Sequence, residues 1–272
     1  MPVTIPIDDP DDPRIAPFRD IRERTLVRRQ GRFIIEGEVV LRLALRRSRF
    51  AIESLLLEQR RVEGLAEDCA RLPEDTPIHV ASQEVMDRIA GFPIHRGILA
   101  LGRRGPEPGL DAVLAALPAR ALVVVLIGLT NHDNVGGIFR NAAAFGADLV
   151  VLDRSCCDPL YRKAIRVSVG AALTVPFVRA GAASELLASL ADAGFEARAL
   201  SPSGARELGA EVRPQRLALV LGTEGPGLPA GLLDALPSVR IPMHGDFDSV
   251  NVAVASGIAL YAYTRGTLAS QG

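Results

Sequence analysis

The hydrophobic and polar positions in the second half of the chain alternate between strand-like and helix-like spacing. The run 121–127 is apolar throughout, which is typical of a strand covered on both faces. Further strands are predicted at 148–152, 174–178, 195–200, 217–221 and 239–241. Helices are predicted at 136–145, 183–193 and 250–263. This alternation predicts an α/β domain with a mostly parallel sheet and helices on both faces.

The first half of the chain alternates in shorter segments. Strands are predicted at 31–37, 52–57, 77–81 and 97–102, and helices at 39–47 and 83–89. Glycine and proline at 103–109 are typical of a linker, and the first residues are acidic and proline-rich. We therefore predict a loose tail at 1–16, a small α/β domain at 17–103, a linker at 104–118 and the larger domain at 119–272.

Composition narrows the class of protein. The chain has 272 residues, of which 48% are hydrophobic and 23% charged, as expected for two globular domains. It has no apolar run of about 18 residues and no basic, apolar leader, so we expect a cytoplasmic protein without a membrane span. The three cysteines and four histidines follow no metal-ligand spacing, which predicts free thiols and no metal site.

Arginine is concentrated near the N-terminus. The segment 14–49 contains eleven arginines and four acidic residues, a net charge of +7, although the whole chain carries −1. Such clusters supply the sequence-independent part of nucleic-acid binding. The alternative is a solvated helix face whose charge is balanced by acids elsewhere. The pattern favours phosphate binding.

Three loops that follow predicted strands contain polar residues that packing does not require. Ligands of open parallel sheets bind at the carboxyl ends of the strands. In the first loop, Asn134 stands where a helix would be capped, and Gly136 and Gly137 permit close backbone approach. The glycine pattern GxGxxG of dinucleotide-binding loops is absent, which disfavours an NAD-binding enzyme.

The second and third loops add a carboxylate and two further polar side chains. The stretch 221–228 has three glycines and a proline around Glu224, which predicts a rigid turn, although an ordinary turn with an exposed glutamate is the alternative. In the stretch 241–255 the chain breaks at Pro242 and enters an apolar helix at Ser249 and Asn251. These two residues either cap the helix or hold a polar ligand at its N-terminus.

Together the three stretches resemble the motifs of the SpoU/TrmH family of SPOUT RNA methyltransferases. The motifs occur in the family's order at 134–141, 221–228 and 241–254, with a weaker R-x-S-x-G match at 166–171. The stretches 33–38 and 95–99 are similar to the family's RNA-binding N-terminal domain, which resembles a small ribosomal protein. The resemblance covers nearly the full length.

This resemblance implies a fold, a cofactor and a reaction. The expected catalytic domain is a SPOUT-type α/β domain with a C-terminal trefoil knot, an exception to the rule against threaded chains. The family transfers a methyl group from S-adenosylmethionine to a ribose 2′-hydroxyl of rRNA or tRNA. By position, the cofactor-binding residues would be Leu200, Gly222, Ile241, Met243 and Val250. Val250 replaces the usual leucine, which would loosen the adenine site slightly.

The family pattern gives Arg140 the main catalytic role, surrounded by Asn134, Glu224, Ser249 and Asn251. Because guanidinium groups keep their proton in proteins, we favour stabilisation of the developing alkoxide over proton abstraction. The resemblance also implies a homodimer in which Arg140 serves the partner's site. The sequence does not identify the RNA substrate. It also does not decide whether the methylation is a housekeeping modification or one that confers antibiotic resistance. The alternative function is a catalytically silent RNA-binding member of the same fold.

Overall fold

A computed structural model of the chain describes residues 3–19, 23–90, 97–210, 212–245 and 248–268. The chain divides into two compact units. The first comprises residues 1–106 together with 158–174, and the second comprises 107–157 together with 175–272. No helix within the described ranges is long and apolar enough to cross a membrane.

The first unit is built on a five-stranded mixed sheet. Its elements are β1 (Thr4–Ile7), α1 (Glu23–Arg29), β2 (Arg32–Glu36), α2 (Glu38–Arg47), β3 (Ala51–Glu58), α3 (Val62–Cys69), β4 (Ile78–Ala81), α4 (Gln83–Ala90) and β5 (Ile98–Arg103). The strand order is β1-β4-β3-β5-β2, and β5 is antiparallel to both of its neighbours. Ile34, Leu56 and Leu99 form part of the core on one face. The strands and helices predicted for this region are confirmed to within about two residues.

The prediction of a loose N-terminal tail is wrong. Residues 4–7 form β1, which pairs in parallel with β4, and a short 3₁₀ helix follows at Pro13–Phe18. Ile15 and Phe18 are fully buried in the core of the first unit. The acidic residues do not oppose this packing because they lie in the turn, where Asp12 caps the 3₁₀ helix and binds Arg14.

The segment 158–174 packs with the first unit. It contains α7 (Arg162–Val167) and α8 (Ala171–Thr174), separated by a turn in which Val169 and Gly170 both have positive φ. Gly170 packs against α2, since a Cβ there would lie 2.8 Å from Leu43. The Ser168 hydroxyl accepts a hydrogen bond from the Ala172 amide and so caps α8. Residues 166–171, the weak R-x-S-x-G match, thus span the end of α7, this turn and the start of α8.

The second unit contains a seven-stranded sheet in which all observed pairs are parallel, as predicted. Its elements are α5 (Leu110–Ala116), β6 (Ala121–Leu126), α6 (His132–Ala144), β7 (Leu149–Leu152), β8 (Phe177–Arg179), α9 (Ala183–Asp192), β9 (Glu196–Leu200), β10 (Arg206–Glu207), β11 (Arg216–Leu221), α10 (Ala230–Ala235), β12 (Ser238–Arg240) and α11 (Val252–Leu268). The strand order is β10-β12-β9-β11-β6-β7-β8. Every residue of β6 is buried, as its apolar run predicts.

The helix predicted at 250–263 begins at Val252 and ends at Leu268, and three further predictions in this half of the chain also require correction. The strand predicted at 174–178 is shorter and later, because α8 extends to Thr174 and β8 begins after Pro176. The first-loop helix begins at His132 rather than at 136, because Asn131 caps it. Within the predicted linker, α5 forms and buries Leu114 against the core of the second unit.

Helices α6 and α11 pack closely and run parallel. A Cβ on Gly137 would lie 2.8 Å from the Cβ of Ala253. One turn later, the Asn141 side chain donates a hydrogen bond of 2.6 Å to the Ala253 carbonyl and lies against Gly257. A further turn along, the rings of Phe145 and Tyr261 pack edge to face with centroids 6.1 Å apart. The contacts advance by four residues on both helices, which fixes their parallel direction.

Candidate active site

A cavity of about 470 Å³ opens at the carboxyl ends of β9, β11 and β12 in the second unit. This is the sheet edge at which parallel α/β proteins bind ligands. The five predicted cofactor residues all line the cavity, namely Leu200, Gly222, Ile241, Met243 and Val250. Its wall contains aliphatic side chains, glycines and several polar side chains, a combination that suits a flat, partly apolar ligand with a few polar edges.

The turn after β11 presents Glu224 to this cavity. A Cβ on Gly222 would overlap the backbone of Gly227 and Leu228, so the turn closes only around glycine. Gly225 and Gly227 have φ of 81° and 72°, which disfavours any side chain at either position. The amide and hydroxyl of Thr223 both donate to the Gly227 carbonyl, which fixes the turn. The prediction of a rigid turn is confirmed.

Three of the predicted catalytic residues form one hydrogen-bonded cluster. The side-chain NH2 of Asn251 donates to Asn134 Oδ1 at 2.9 Å and to Glu224 Oε1 at 2.5 Å. The oxygen of the same amide accepts from the backbone N–H of Ala253 at 2.9 Å and of Val254 at 3.3 Å. Asn251 therefore caps α11 with its oxygen and joins the other two residues with its nitrogen. Capping and site formation are two uses of one side chain.

Asn134 does not cap α6. It lies in the first turn of that helix, is buried, and accepts the bond from Asn251. The cap is Asn131, whose side chain accepts from the Asp133 amide at 2.9 Å. Sequence reasoning chose the wrong asparagine because both have glycine or polar neighbours and either could end a loop.

Ser249 lines the cavity but does not join the cluster. Its hydroxyl donates to Asp248 Oδ1 at 3.2 Å, and it makes no cap hydrogen bond within the described part of α11. Asp248 and Thr223 also line the cavity, and sequence reasoning did not single them out. Their position beside the chosen residues, in loops that follow buried strands, is the signal that would have found them. Residues 246 and 247 of the same loop lie outside the described residues.

Arg140 is exposed on α6 and does not line the cavity of its own chain. It makes no ion pair or side-chain hydrogen bond with any described residue. Six helical positions separate it from Asn134, so the two side chains point about 120° apart around the helix. The structure therefore brings Asn134, Glu224 and Asn251 together and leaves Arg140 on another face.

An exposed apolar stripe lies on the same side of the helix pair as Arg140. Val254, Ile258 and Tyr261 are 53%, 40% and 55% exposed and follow helical spacing along α11. On α11, Val254 follows Ala253 and Ile258 follows Gly257, and both Ala253 and Gly257 contact α6. On α6, Arg140 precedes Asn141, which contacts α11. Because the helices are parallel, both offsets of about 100° turn toward the same side.

Comparisons with other proteins give one consistent assignment. Residues 121–261 match the model of the SpoU rRNA Methylase family. An uncharacterised tRNA/rRNA methyltransferase of Mycobacterium tuberculosis is 43% identical over 266 residues, covering 94% of this chain and 90% of that protein. A 23S rRNA (guanosine-2′-O-)-methyltransferase of Vibrio vulnificus is 31% identical over 194 residues, covering 70% of this chain and 78% of the relative. The fold is similar to that of an AdoMet-bound rRNA methyltransferase from Sinorhizobium meliloti, with a TM-score of 0.77, 22% identity and coverage of 97% and 98%.

Proposed function

The chain belongs to the SpoU family of RNA methyltransferases, and we propose that it transfers a methyl group from S-adenosylmethionine to a ribose 2′-hydroxyl of a structured RNA. The observation that supports this most directly is the cavity of the second unit, where the predicted cofactor residues adjoin Glu224 and Asn251. The substrate class is rRNA or tRNA, as in the names of the relatives. An enzyme acting on either RNA would work in the cytoplasm.

The cavity is the proposed cofactor site. Bound S-adenosylmethionine would supply an activated methyl group. Leu200, Ile241, Met243 and Val250 offer the aliphatic surface that an adenine ring needs, and the close backbone at Gly222 offers peptide groups for its polar edge. Val250 lines the cavity and is one methylene smaller than the leucine usual in the family, so the adenine site should be slightly wider.

The hydrogen-bonded cluster is the proposed wall of the reaction site. The Asn251 side-chain NH2 group donates hydrogen bonds to Glu224 and to the side-chain oxygen of Asn134. The Asn134 NH2 group would then donate to a ligand. Fixed donors of this kind stabilise charge that develops during the reaction, because they need not reorganise. Ser249 would assist from the cavity wall. Arg140 would bind a substrate phosphate and stabilise the developing alkoxide.

We also propose the trefoil knot for the C-terminal half of this unit. Support comes from β12, which lies between β9 and β10 although it follows both in the chain. The segment 201–208, which includes β10, contacts β12 at two points: the Ser201 amide donates to the Val239 carbonyl, and the Leu208 amide donates to the Arg240 carbonyl. At Gly204 a Cβ would overlap the Val239 backbone, so the loop lies directly on the strand.

The homodimer implied by the family is supported by the exposed stripe of α11. A stripe formed by Val254, Ile258 and Tyr261 is costly in water, and a second copy would cover it. Arg140 lies on the same side and not in its own cavity, so we propose that it completes the site of the partner. The first unit would bind the substrate RNA. His95 and Arg96, part of the resemblance there, lie outside the described residues.

The function is tested by methyl transfer from labelled S-adenosylmethionine to total RNA from a strain lacking the gene, followed by mapping of the modified ribose. We expect label in one rRNA or tRNA position and no response to NAD. Cofactor binding without transfer to either RNA class would favour the silent RNA-binding alternative. Absence of cofactor binding would contradict the proposed cavity assignment.

Mixed dimers test where Arg140 acts. Arg140→Ala removes the guanidinium, and Val250→Trp fills the cavity from a partly exposed position. Each variant alone should be inactive. If Arg140 serves the partner, random mixing of the two should restore about a quarter of wild-type activity, because half the dimers are mixed and each has one intact site. No restoration in mixed dimers would place Arg140 in its own chain's site.

The role of Arg140 is tested by the pH dependence of turnover. An electrostatic role predicts that Arg140→Lys loses turnover without moving the inflection of the pH-rate profile. Near-wild-type turnover with an inflection moved to lower pH would favour proton abstraction by this residue instead.

A further inference from the structure

Arginines collect at one end of the sheet of the first unit. Strand β2 begins at Arg32 and β5 ends at Arg103, and these two residues pair with each other in the sheet register. Arg103 also pairs with Ala51, the first residue of β3. Three strands therefore end at the same level. We call the arginines at this level the arginine end, comprising Arg28, Arg29, Arg32, Arg47, Arg49 and Arg103.

The helices and loops bring the other members to this level. Helix α1 ends at Arg29, three residues before β2 begins at Arg32. Helix α2 ends at Arg47, four residues before β3. Arg49 lies in the connection, where its guanidinium stacks over the Phe50 ring at 4.7 Å from the centroid. Positions distant in sequence thus lie at the same end of the sheet.

Few carboxylates balance this charge. Glu53 binds both Arg32 and Arg103, with N–O distances of 2.8 and 3.2 Å, and so neutralises one of the two. Arg28, Arg29 and Arg47 are exposed and form no ion pair with any residue of the described ranges. The described part of the fold therefore does not use these three charges for ion pairing.

The other arginines of the basic segment whose side chains the structure describes are all ion-paired. Arg14 and Arg19 bind Asp12 and Asp11, at 2.5 and 2.6 Å. Arg42 binds Asp68, which also accepts an ion pair from Arg46. The basic segment seen in the sequence therefore splits into a paired part and the arginine end, and Arg103, which lies outside that segment, joins the latter.

The other end of the same strands carries carboxylates that are paired with arginines. Strand β2 ends at Glu36 and β3 ends at Glu58, which lies 3.7 Å from Arg60. Glu36 lies within 4 Å of Arg162 and Arg166, so its charge is locally balanced. The net charge of the chain is only −1, which means that attraction to a polyanion has to come from a local surface. The arginine end offers such a surface, because no described residue pairs with Arg28, Arg29 or Arg47.

We infer that the arginine end binds the phosphate backbone of the substrate RNA. The inference rests on the proposed function, since it assigns the surface by which the same enzyme holds its substrate. Guanidinium groups suit phosphate because their donors form a planar fork that matches two phosphate oxygens. A surface of this kind contributes affinity that falls with salt and does not depend on base sequence.

The test compares two triple variants with equal charge change. Arg28→Gln/Arg29→Gln/Arg47→Gln removes the three arginines of the arginine end that form no ion pair. The control, Arg60→Gln/Arg71→Gln/Arg88→Gln, removes three exposed arginines that lie elsewhere in the same unit. Binding of each protein to an unmodified 23S rRNA transcript and to unmodified tRNA is measured between 50 and 200 mM KCl, roughly the range where counterion release is steep.

Loss of three phosphate contacts should weaken binding of the RNA that the wild type binds by roughly 100-fold near 0.1 M salt and lower the log–log salt slope by about 2 to 3. The control should stay near wild type, and S-adenosylmethionine binding should be unchanged in both. Equal effects of the two triple variants would overturn the inference while leaving the proposed function intact. A wild type that binds S-adenosylmethionine but neither RNA would overturn both. Unchanged RNA binding with lost binding to poly-glutamate would assign the surface to an acidic protein instead.

Discussion

Replacing Asn251 tests whether one side chain holds both the start of α11 and the polar cluster. Its oxygen caps the helix through the amides of Ala253 and Val254, and its nitrogen satisfies the oxygen of Asn134. Asn251→Ala removes both functions, and Asn251→Ser keeps an oxygen at the cap but cannot reach Asn134. The pair of variants therefore separates the two contributions.

The expected destabilisation follows from these contacts. Loss of an N-cap costs about 1 kcal/mol, within a range of roughly 0.5–2 kcal/mol. Asn134 is only 6% exposed, so its stranded oxygen adds about 1–3 kcal/mol. The bond to Glu224 adds little to stability, because that carboxylate is exposed. We expect a loss of roughly 2–4 kcal/mol for Asn251→Ala, and for Asn251→Ser about 1 kcal/mol less.

Urea unfolding followed by circular dichroism measures these values, and methyl transfer with saturating cofactor measures activity. Both variants should lose roughly 10- to 100-fold in turnover, because both release Asn134 and Glu224 from their fixed positions. Equal stability of the two variants would show that the cap contributes nothing. Wild-type stability of Asn251→Ala would refute the whole cluster as a structural element.

Three further changes test other parts of the structure. Gly204→Ala places a Cβ on the Val239 backbone and should cost at least about 1–3 kcal/mol in urea unfolding, whereas Gly231→Ala, in open space on α10, should be neutral or slightly stabilising; similar results for both would contradict the close loop–strand contact. Burial lowers the pKa of His79 below its unfolded value of 6.5, so the unfolded chain binds more protons and stability should fall as pH drops through about 6.5. His79→Leu should flatten that dependence between pH 8 and 5, and an unchanged slope would exclude His79 as its source. Ile258→Asp places a charge in the exposed stripe and should convert a dimer to a monomer in sedimentation velocity; an intact dimer would exclude this face as the interface.

The sequence alone determined the fold class and the places where chemistry could lie. The apolar run of β6 indicated a strand buried on both faces, and the strand–helix alternation indicated a parallel sheet. These features are readable because each depends on neighbouring residues, whose spacing is a local property. The glycines around Glu224 were readable for the same reason, since a tight turn restricts its own few residues.

Only the tertiary structure decided which of the chosen residues meet. Asn251 reaches Asn134 across 117 positions of sequence and Glu224 across 27, and nothing local to any of the three reveals those contacts. Asn131 caps α6, and Asn134, three residues later in the first turn of the helix, accepts the hydrogen bond from Asn251. The contact with Asn251 depends on the packing of α11, which the local sequence does not reveal. The arginine end likewise depends on the register of β2 with β5, which joins residues about 70 positions apart. Composition revealed the excess of arginine, and strand pairing placed these arginines at one end of the sheet.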